Sequence, residues 1–479
     1  MSVVHPVCGA LQKEELVTEI WRLSAGEVAD GVWRGEFSAL EAAQSALKRL
    51  EMVNPTLNAV VDFDPEAVLA AARQCDARRA RGDALGLLGG VPVTVKINVD
   101  QQGFATSNGV RLQRDLIAQR NSPVVDNLLR AGAVILGRTN TPAFSLRWFT
   151  DNQLYGATRN PRNVALTPGG SSGGAASAVA AGIGHLAHGT DIAGSIRYPA
   201  YACGVHGLRP SLGRVPAFNA ALPERGLGGQ ITAVSGPLAR RIADVRLGLL
   251  ALAAPDSRDP WYVPAPLEGP GYERKAALWL RPDGLDIVPA VEDALRQAAA
   301  RLRDAGWQVD EIEQGPPMRE AAQLQLRMWL ADGYEAMLAA AEREEDEGAL
   351  IALRGQGEAF RGLDLSTYQA TLTRRATLVR DWQCFFDTYP LMLTPVSAEL
   401  PFADGLDKQG EAAYRRVWEA QMTQIGLPFM GLPGLAVATG EVKGAPVGVQ
   451  LLAARYREDI LLDAGQLIEE AGPPVSIAA

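Results

Sequence analysis

Residues 167–200 read TPGGSSGGAASAVAAGIGHLAHGTDIAGSIRYPA, a run of glycine, alanine and serine with almost no bulky side chains. Such a run cannot fill a core by itself. Either it is a flexible linker, or its backbone packs closely against something else. The segment AASAVAAG at 175–182 favours the second reading, because a small-residue helix suits close packing and a linker has no need of one. Ser171 and Ser195 stand 24 residues apart (195 − 171), each in a glycine-rich turn where backbone can approach a ligand. Asp191-Ile192-Ala193-Gly194-Ser195 can present successive backbone N–H groups as an anion-binding nest.

Helix and strand patterns alternate around this run. Ser38-Ala-Leu-Glu41 reads as a capping box opening a helix through Met52, with Leu40, Ala43, Leu47 and Leu50 as its apolar stripe and Asn54-Pro55 as its stop. GGVPVTVKINV at 89–99 reads as a buried strand. Ser122-Pro123 starts a short helix, Gly132 ends it, and AVILG at 133–137 follows as a strand. AALWL at 276–280, a helix over 289–304 and GWQVDEI at 306–312 form a second β-α-β unit. PLMLTP at 390–395 and VGVQLLA at 447–453 read as further buried strands, and 317–388 is largely helical by pattern. Alternation of this kind implies an α/β fold with a large, mostly parallel sheet covered by helices. Ala217–Gly229 is the best candidate for a mobile loop.

Composition narrows the function. At 47% hydrophobic and 21% charged residues the chain of 479 is globular rather than disordered. Its net charge of −9 argues against nucleic acid as the main partner, since phosphate binding needs a basic footprint. Cys8, Cys75, Cys203 and Cys384 are scattered singly without a CxxC pair, which reads as free thiols in a reducing, cytoplasmic setting. The N-terminal stretch MSVVHPVCGALQKEEL lacks the pattern of a signal peptide, and no 18-residue apolar run suggests a membrane span.

Several motif matches fail on context. Gly169–Gly174 fits G-x-S-x-G, but only His185, His188 and His206 lie downstream, all within forty residues, and they read as packing or strand residues. Ser45-Ala-Leu-Lys48 fits S-x-x-K, yet it lies on the capped helix and no K-T-G occurs. Gly182-Ile-Gly184-His-Leu-Ala187 is a loose dinucleotide fingerprint without its acidic partner. With four histidines and no clustered ligands, neither a metal nor any other cofactor is expected. Without a histidine base, a buried lysine is the usual substitute. Lys96 is the candidate. By strand alternation it shares a face with Thr94 and Asn98, opposite Val91, Val93, Val95 and Ile97; taken alone, that also describes a lysine on a solvated face.

These stretches together resemble the amidase signature family. VNPTLNAVV at 53–61, GVPVTVKIN, LGRTNTPAFS, GATRNPRN, the GGSSGG…GTDIAGSIRYPA…CGVHGLRPS block, GLPGLAVA and APVGVQLL follow in order over most of the chain. The resemblance implies a Ser-cisSer-Lys triad of Ser195 as nucleophile, Ser171 as proton relay and Lys96 as base. It implies an oxyanion hole from the N–H groups of Ile192, Ala193, Gly194 and Ser195. Ser172, Asp191 and Arg197 match scaffold-bracing positions. Two positions depart from many members: Ile97 stands where Asp is common, and Ala193 stands where Gly is.

The implied fold is one amidase signature domain over 1–479, with an N-terminal helical region (1–75), a catalytic core (89–215) and a helical substrate-side insertion (317–388). Substrate contacts are expected from 144–156, from the loop near Phe218 and from 317–388, with Trp148, Phe149, Tyr155, Phe218, Met328 and Trp329 as an aryl-accepting pocket. The expected activity is a stand-alone hydrolase of small amides or carbamates (urethanes) with esterase side activity through an acyl-enzyme, rising with pH towards an alkaline optimum. It acts without nucleic acid or membrane, as a monomer or homodimer. The alternatives are the glutaminase subunit of a tRNA-dependent amidotransferase and an inactive binding protein on this fold.

Overall fold

The structure, a computed structural model, describes residues 19–478. The N-terminal stretch with Cys8 lies outside the described residues. Eleven strands form one sheet: β1 (Val60–Asp62), β2 (Pro92–Lys96), β3 (Val134–Thr139), β4 (Leu186–Asp191), β5 (His206–Arg209), β6 (Val234–Ala239), β7 (Lys275–Leu278), β8 (Gln308–Glu311), β9 (Leu391–Pro395), β10 (Gly434–Val442) and β11 (Ala445–Leu452). Their order across the sheet is β1-β3-β2-β4-β6-β5-β10-β11-β9-β7-β8.

The fold is α/β and the sheet is mixed, but it is not mostly parallel. Parallel pairing is confined to two flanks, where β2 pairs with β3 and β4 and β7 with β8 and β9. The middle, from β4 through β6, β5, β10 and β11 to β9, is antiparallel, as is edge strand β1. The β-α-β patterns legible in the sequence mark the flanks. The middle depends on pairings such as the β10–β11 hairpin, closed by Lys443 and Gly444 with φ of 52° and 77°, a two-residue turn that forces antiparallel strands.

Local signals act where the sequence places them, with one exception. Ser38 and Glu41 form a reciprocal capping box, but the helix they open runs Ala39–Leu57 and contains Pro55. Pro55 lacks only its own N–H, and Asn58, in the left-handed region at φ 50°, closes the helix by donating to Asn54 O at 2.7 Å. The helix Pro289–Asp304 joins parallel β7 and β8. Helices Met318–Ala331, Tyr334–Glu344, Glu347–Gln356 and Leu365–Thr388 fill the region from 317 to 388. Among the described residues no helix is long and apolar enough to cross a membrane.

The small-residue helix Gly173–Ala180 is buried along its whole length. A Cβ on Gly174 would meet the Asn140 backbone nitrogen at 2.4 Å, and one on Gly173 would meet Thr150 Oγ1 at 2.3 Å. Glycine is required there because neighbouring chain takes the space of any side chain.

Candidate active site

Lys96 ends β2, whose five residues are buried on both faces. It is 0% exposed, so the solvated-face reading does not hold; β2 lies between β3 and β4, with no face left to water. The Lys96 Nζ lies 2.6 Å from Ser171 Oγ, 3.1 Å from Ser172 Oγ and 3.0 Å from Thr190 Oγ1. Burial pushes its ammonium well below the usual lysine range, opposed by the Asp191 carboxylate and helped by the Arg225 guanidinium. A neutral amine has two N–H bonds and one lone pair. Donation to Ser172 and Thr190 leaves the lone pair facing the Ser171 hydroxyl. The Gly170–Ser171 peptide is cis.

Among the described residues no histidine competes for this role. His185, His188 and His206 are buried in or beside strands. Burial, with Lys96 nearby, holds His188 neutral with a pKa of about 3, and its Nε2 is paired with Ser235 Oγ at 3.0 Å.

Asp191, at the end of β4, organises the loop that carries Ser195. Its Oδ1 accepts from Gly194 N at 3.0 Å and its Oδ2 from Ile196 N at 3.1 Å. Arg197 grips both carboxylate oxygens at 3.0 Å. Arg209 donates to the Asp191 carbonyl at 2.6 Å. Burial alone would raise this carboxyl's pKa, but the two guanidiniums hold it well below the usual range. The Asp191 carboxylate therefore takes the N–H of Gly194, one of the four expected oxyanion donors. Among the described residues, the N–H groups of Ile192, Ala193 and Ser195 have no acceptor in the protein. Gln325 Nε2 donates to Ile192 O at 3.0 Å and Trp148 Nε1 to Ala193 O at 2.9 Å, which pin the peptide planes carrying the Ala193 and Gly194 N–H groups. Ser172 N donates to Ser195 O at 3.0 Å and so joins the two serine loops.

Ser171 and Ser195 line one cavity of about 270 Å³ with Phe144, Ile192, Leu222, Trp329 and Met337. Of the expected pocket residues, Trp329 lines it, Trp148 lines a small neighbouring cavity that shares Ile192, Ser195 and Trp329, and Phe218 lines an adjoining cavity that shares Thr190, Leu222 and Arg225. The other three lie elsewhere. Phe149 is core, stacked on Phe402. Met328 is 0% exposed, on the inner side of the helix that turns Trp329 outward. The Tyr155 hydroxyl is 3.2 Å from Ser107 Oγ, outside the cavity. Phe144, Leu222, Arg225 and Met337 also line the cavity and are not singled out by sequence reasoning. Phe144 is the one with a backbone mark, at φ 56° beside Ser145 at 58°, but that conformation is invisible in a sequence.

Arg225 is the one charged residue lining this cavity whose side chain has no ion-pair or hydrogen-bond partner among the described residues; Asp191 is paired as above, and Asp332 accepts from Gly228 and Gly229. Its positive charge disfavours protonation of Lys96. Removing it in Arg225→Leu raises the Lys96 pKa, so more base is protonated at a given pH. The acid limb of the kcat/KM profile is expected to move to higher pH; a limb that stays in place would show that the charge does not reach Lys96. Because burial lowers the Lys96 pKa, that limb lies at lower pH than a free lysine would give.

A mixed sheet between helices, with a serine-bearing loop whose Ile192, Ala193 and Ser195 N–H groups lack acceptors among the described residues beside a small-molecule cavity, fits an α/β enzyme of the hydrolase class. The chain belongs to the amidase signature family: the Amidase family model matches residues 41–462. It is a hydrolase that acts on amides. It is 43% identical over 456 residues to the indoleacetamide hydrolase of Bradyrhizobium diazoefficiens, covering 94% of this chain and 86% of that one. It is 32% identical to a glutamyl-tRNA(Gln) amidotransferase subunit of Moorella thermoacetica, over 95% of this chain and 97% of that one. Among solved structures it superposes on a bacterial aryl acylamidase of the amidase signature enzymes with a TM-score of 0.83 at 27% identity, covering 94% and 96% of the two chains.

Proposed function

We propose that the protein is a stand-alone hydrolase of small aryl or arylacetic amides, working through Ser195, Ser171 and Lys96. The observation that carries this reading is the buried Lys96 amine 2.6 Å from Ser171 Oγ, in a cavity that Ser171 shares with Ser195. Ser195 Oγ attacks the carbonyl carbon. Its proton passes to Ser171, and the Ser171 proton passes to Lys96. The oxyanion is received by the free N–H groups of the 192–195 loop. Collapse breaks the C–N bond, and the proton returns from Lys96 through Ser171 to the leaving nitrogen. Water then releases the acid from the acyl-enzyme along the same path.

The cavity wall supports the aryl class. Phe144, Leu222, Trp329 and Met337 offer apolar and aromatic surface, and the volume suits one ring system with a short arm. The name of the 43%-identical relative points the same way. Carbamates and esters present the same carbonyl to Ser195, and we include them as secondary substrates. No nucleic acid, membrane or partner subunit is required in this reading.

The test is a panel of one arylacetic acyl group as primary amide and methyl ester, with an aryl carbamate alongside and Ser195→Ala as blank. Ser195-dependent ammonia release from the amide is expected, with slower turnover of the carbamate. Folded protein that releases nothing from any of the three would sink the stand-alone reading in favour of a partner-dependent glutaminase subunit.

A further inference from the structure

Asn98 follows Lys96 by two residues, in the turn that leaves the end of β2, where Val99 N donates to Lys96 O at 3.3 Å. Its amide is 8% exposed and lines the cavity that holds Ser171 and Ser195. Its Nδ2 donates to Thr190 Oγ1 at 3.0 Å and to Ser145 Oγ at 3.4 Å. Thr190 Oγ1 also accepts from Lys96 Nζ, and Ser145 Oγ donates its proton to Asn108 Oδ1 at 2.7 Å. Both neighbours are therefore acceptors towards Asn98, which fixes the orientation of its amide. The backbone is held as well: Asn219 Nδ2 donates to Asn98 O at 3.0 Å, and Asn219 Oδ1 accepts from Asp100 N at 3.0 Å.

What remains is the Asn98 Oδ1, a buried carbonyl oxygen with no hydrogen-bond partner among the described residues. Leaving such an atom unpaired disfavours the fold, and in a residue that lines a cavity a bound donor would satisfy it. The donor's position follows from the proton path. The leaving nitrogen must lie beside Ser171 to be protonated, and Asn98 shares Thr190 with Lys96 on that same side. The substrate atom nearest to Asn98 is then the leaving nitrogen.

We propose that Asn98 Oδ1 accepts an N–H from the leaving nitrogen of the substrate, which makes Asn98 the residue that selects amides bearing such a hydrogen over esters and N,N-disubstituted amides. The inference rests on the triad reading above. It adds a substrate class: amides with at least one N–H on the leaving nitrogen, which is donated to Asn98 while the nitrogen lone pair takes the proton from Ser171. A site built around a substrate N–H discriminates against analogues that lack it, because its own acceptor is then left unpaired.

The experiment compares kcat/KM for an arylacetamide and for the N,N-dimethylamide of the same acid, in wild type, Asn98→Ala and Asn98→Ser. Both substrates need Ser195 attack and a proton on the leaving nitrogen, so damage to Lys96 or Ser171 lowers both. Only the primary amide has an N–H to lose. The primary-to-tertiary amide ratio is expected to fall at least about tenfold in both variants. The ratio is taken on one preparation, so partial unfolding cancels. A ratio within about threefold of wild type, whether both rates fall together or neither falls, would overturn the proposal and leave Asn98 a structural brace. Absence of Ser195-dependent turnover in the wild type would instead count against the triad reading, so the two failures are distinguishable.

Discussion

Lys96→Met lowers kcat/KM for an aryl amide by on the order of 10²–10⁴-fold, the usual contribution of a positioned general base. The protein meanwhile stays folded, with a melting temperature at or above that of the wild type. The two outcomes have one cause. Lys96 is fully buried, and burial drives its pKa well below the ordinary value. In the unfolded chain it carries a proton up to about pH 10.4. Folding makes that proton easier to lose, so below the unfolded pKa the lysine opposes folding, and the opposition shrinks as pH rises. Methionine fills a similar volume without that penalty. The measurement pairs steady-state kinetics with thermal unfolding at several pH values. Near-wild-type activity in Lys96→Met would refute the proton path, and a clear loss of stability would show that the amine braces the fold.

Asp191→Asn is expected to have the largest effect on stability, on the order of 3–5 kcal/mol, because it removes the one carboxylate that compensates two buried guanidiniums. Arg197 and Arg209 are both 0% exposed, and both reach Asp191. An amide in that place cannot neutralise either. The wild-type carboxyl is held below its usual range, so its contribution is complete above the unfolded carboxylate pKa of about 3.9 and is lost as pH falls below it. Denaturant unfolding at neutral pH and again near pH 3 measures both parts. The two proteins should differ strongly at neutral pH and approach each other in acid. Activity should also fall, since Asp191 caps Gly194 and Ile196 and so shapes the loop around Ser195. Equal stability at neutral pH would mean that the guanidiniums find other partners.

Much of the fold was legible because the signals are local. The Ser38 capping box, the Pro123 helix start and the Pro289–Asp304 helix all depend on a few consecutive residues. The parallel flanks follow from β-α-β spacing. The antiparallel middle of the sheet escaped because β5 pairs with β10 more than two hundred residues later, and no short window carries that information. The same division runs through the site. The glycines that let the 167–200 run pack are readable, because Gly173 and Gly174 answer to backbone space. The pocket wall is not: Trp329 faces the cavity and Met328 the core, although they are adjacent on one helix.

By itself the sequence determined which chemistry the chain can carry: an amine, two hydroxyls and a glycine-rich anion loop in family order, with no histidine placed to act as base. Only the tertiary structure decided the state of those groups. It buries Lys96 in a strand that lies between two others, gives the Gly194 N–H to Asp191 and leaves Asn98 Oδ1 buried without a partner in a residue that lines the cavity. The physical reason is range. Backbone preferences act over a few residues and are written in order along the chain, whereas desolvation and hydrogen-bond competition depend on which distant segments close around an atom.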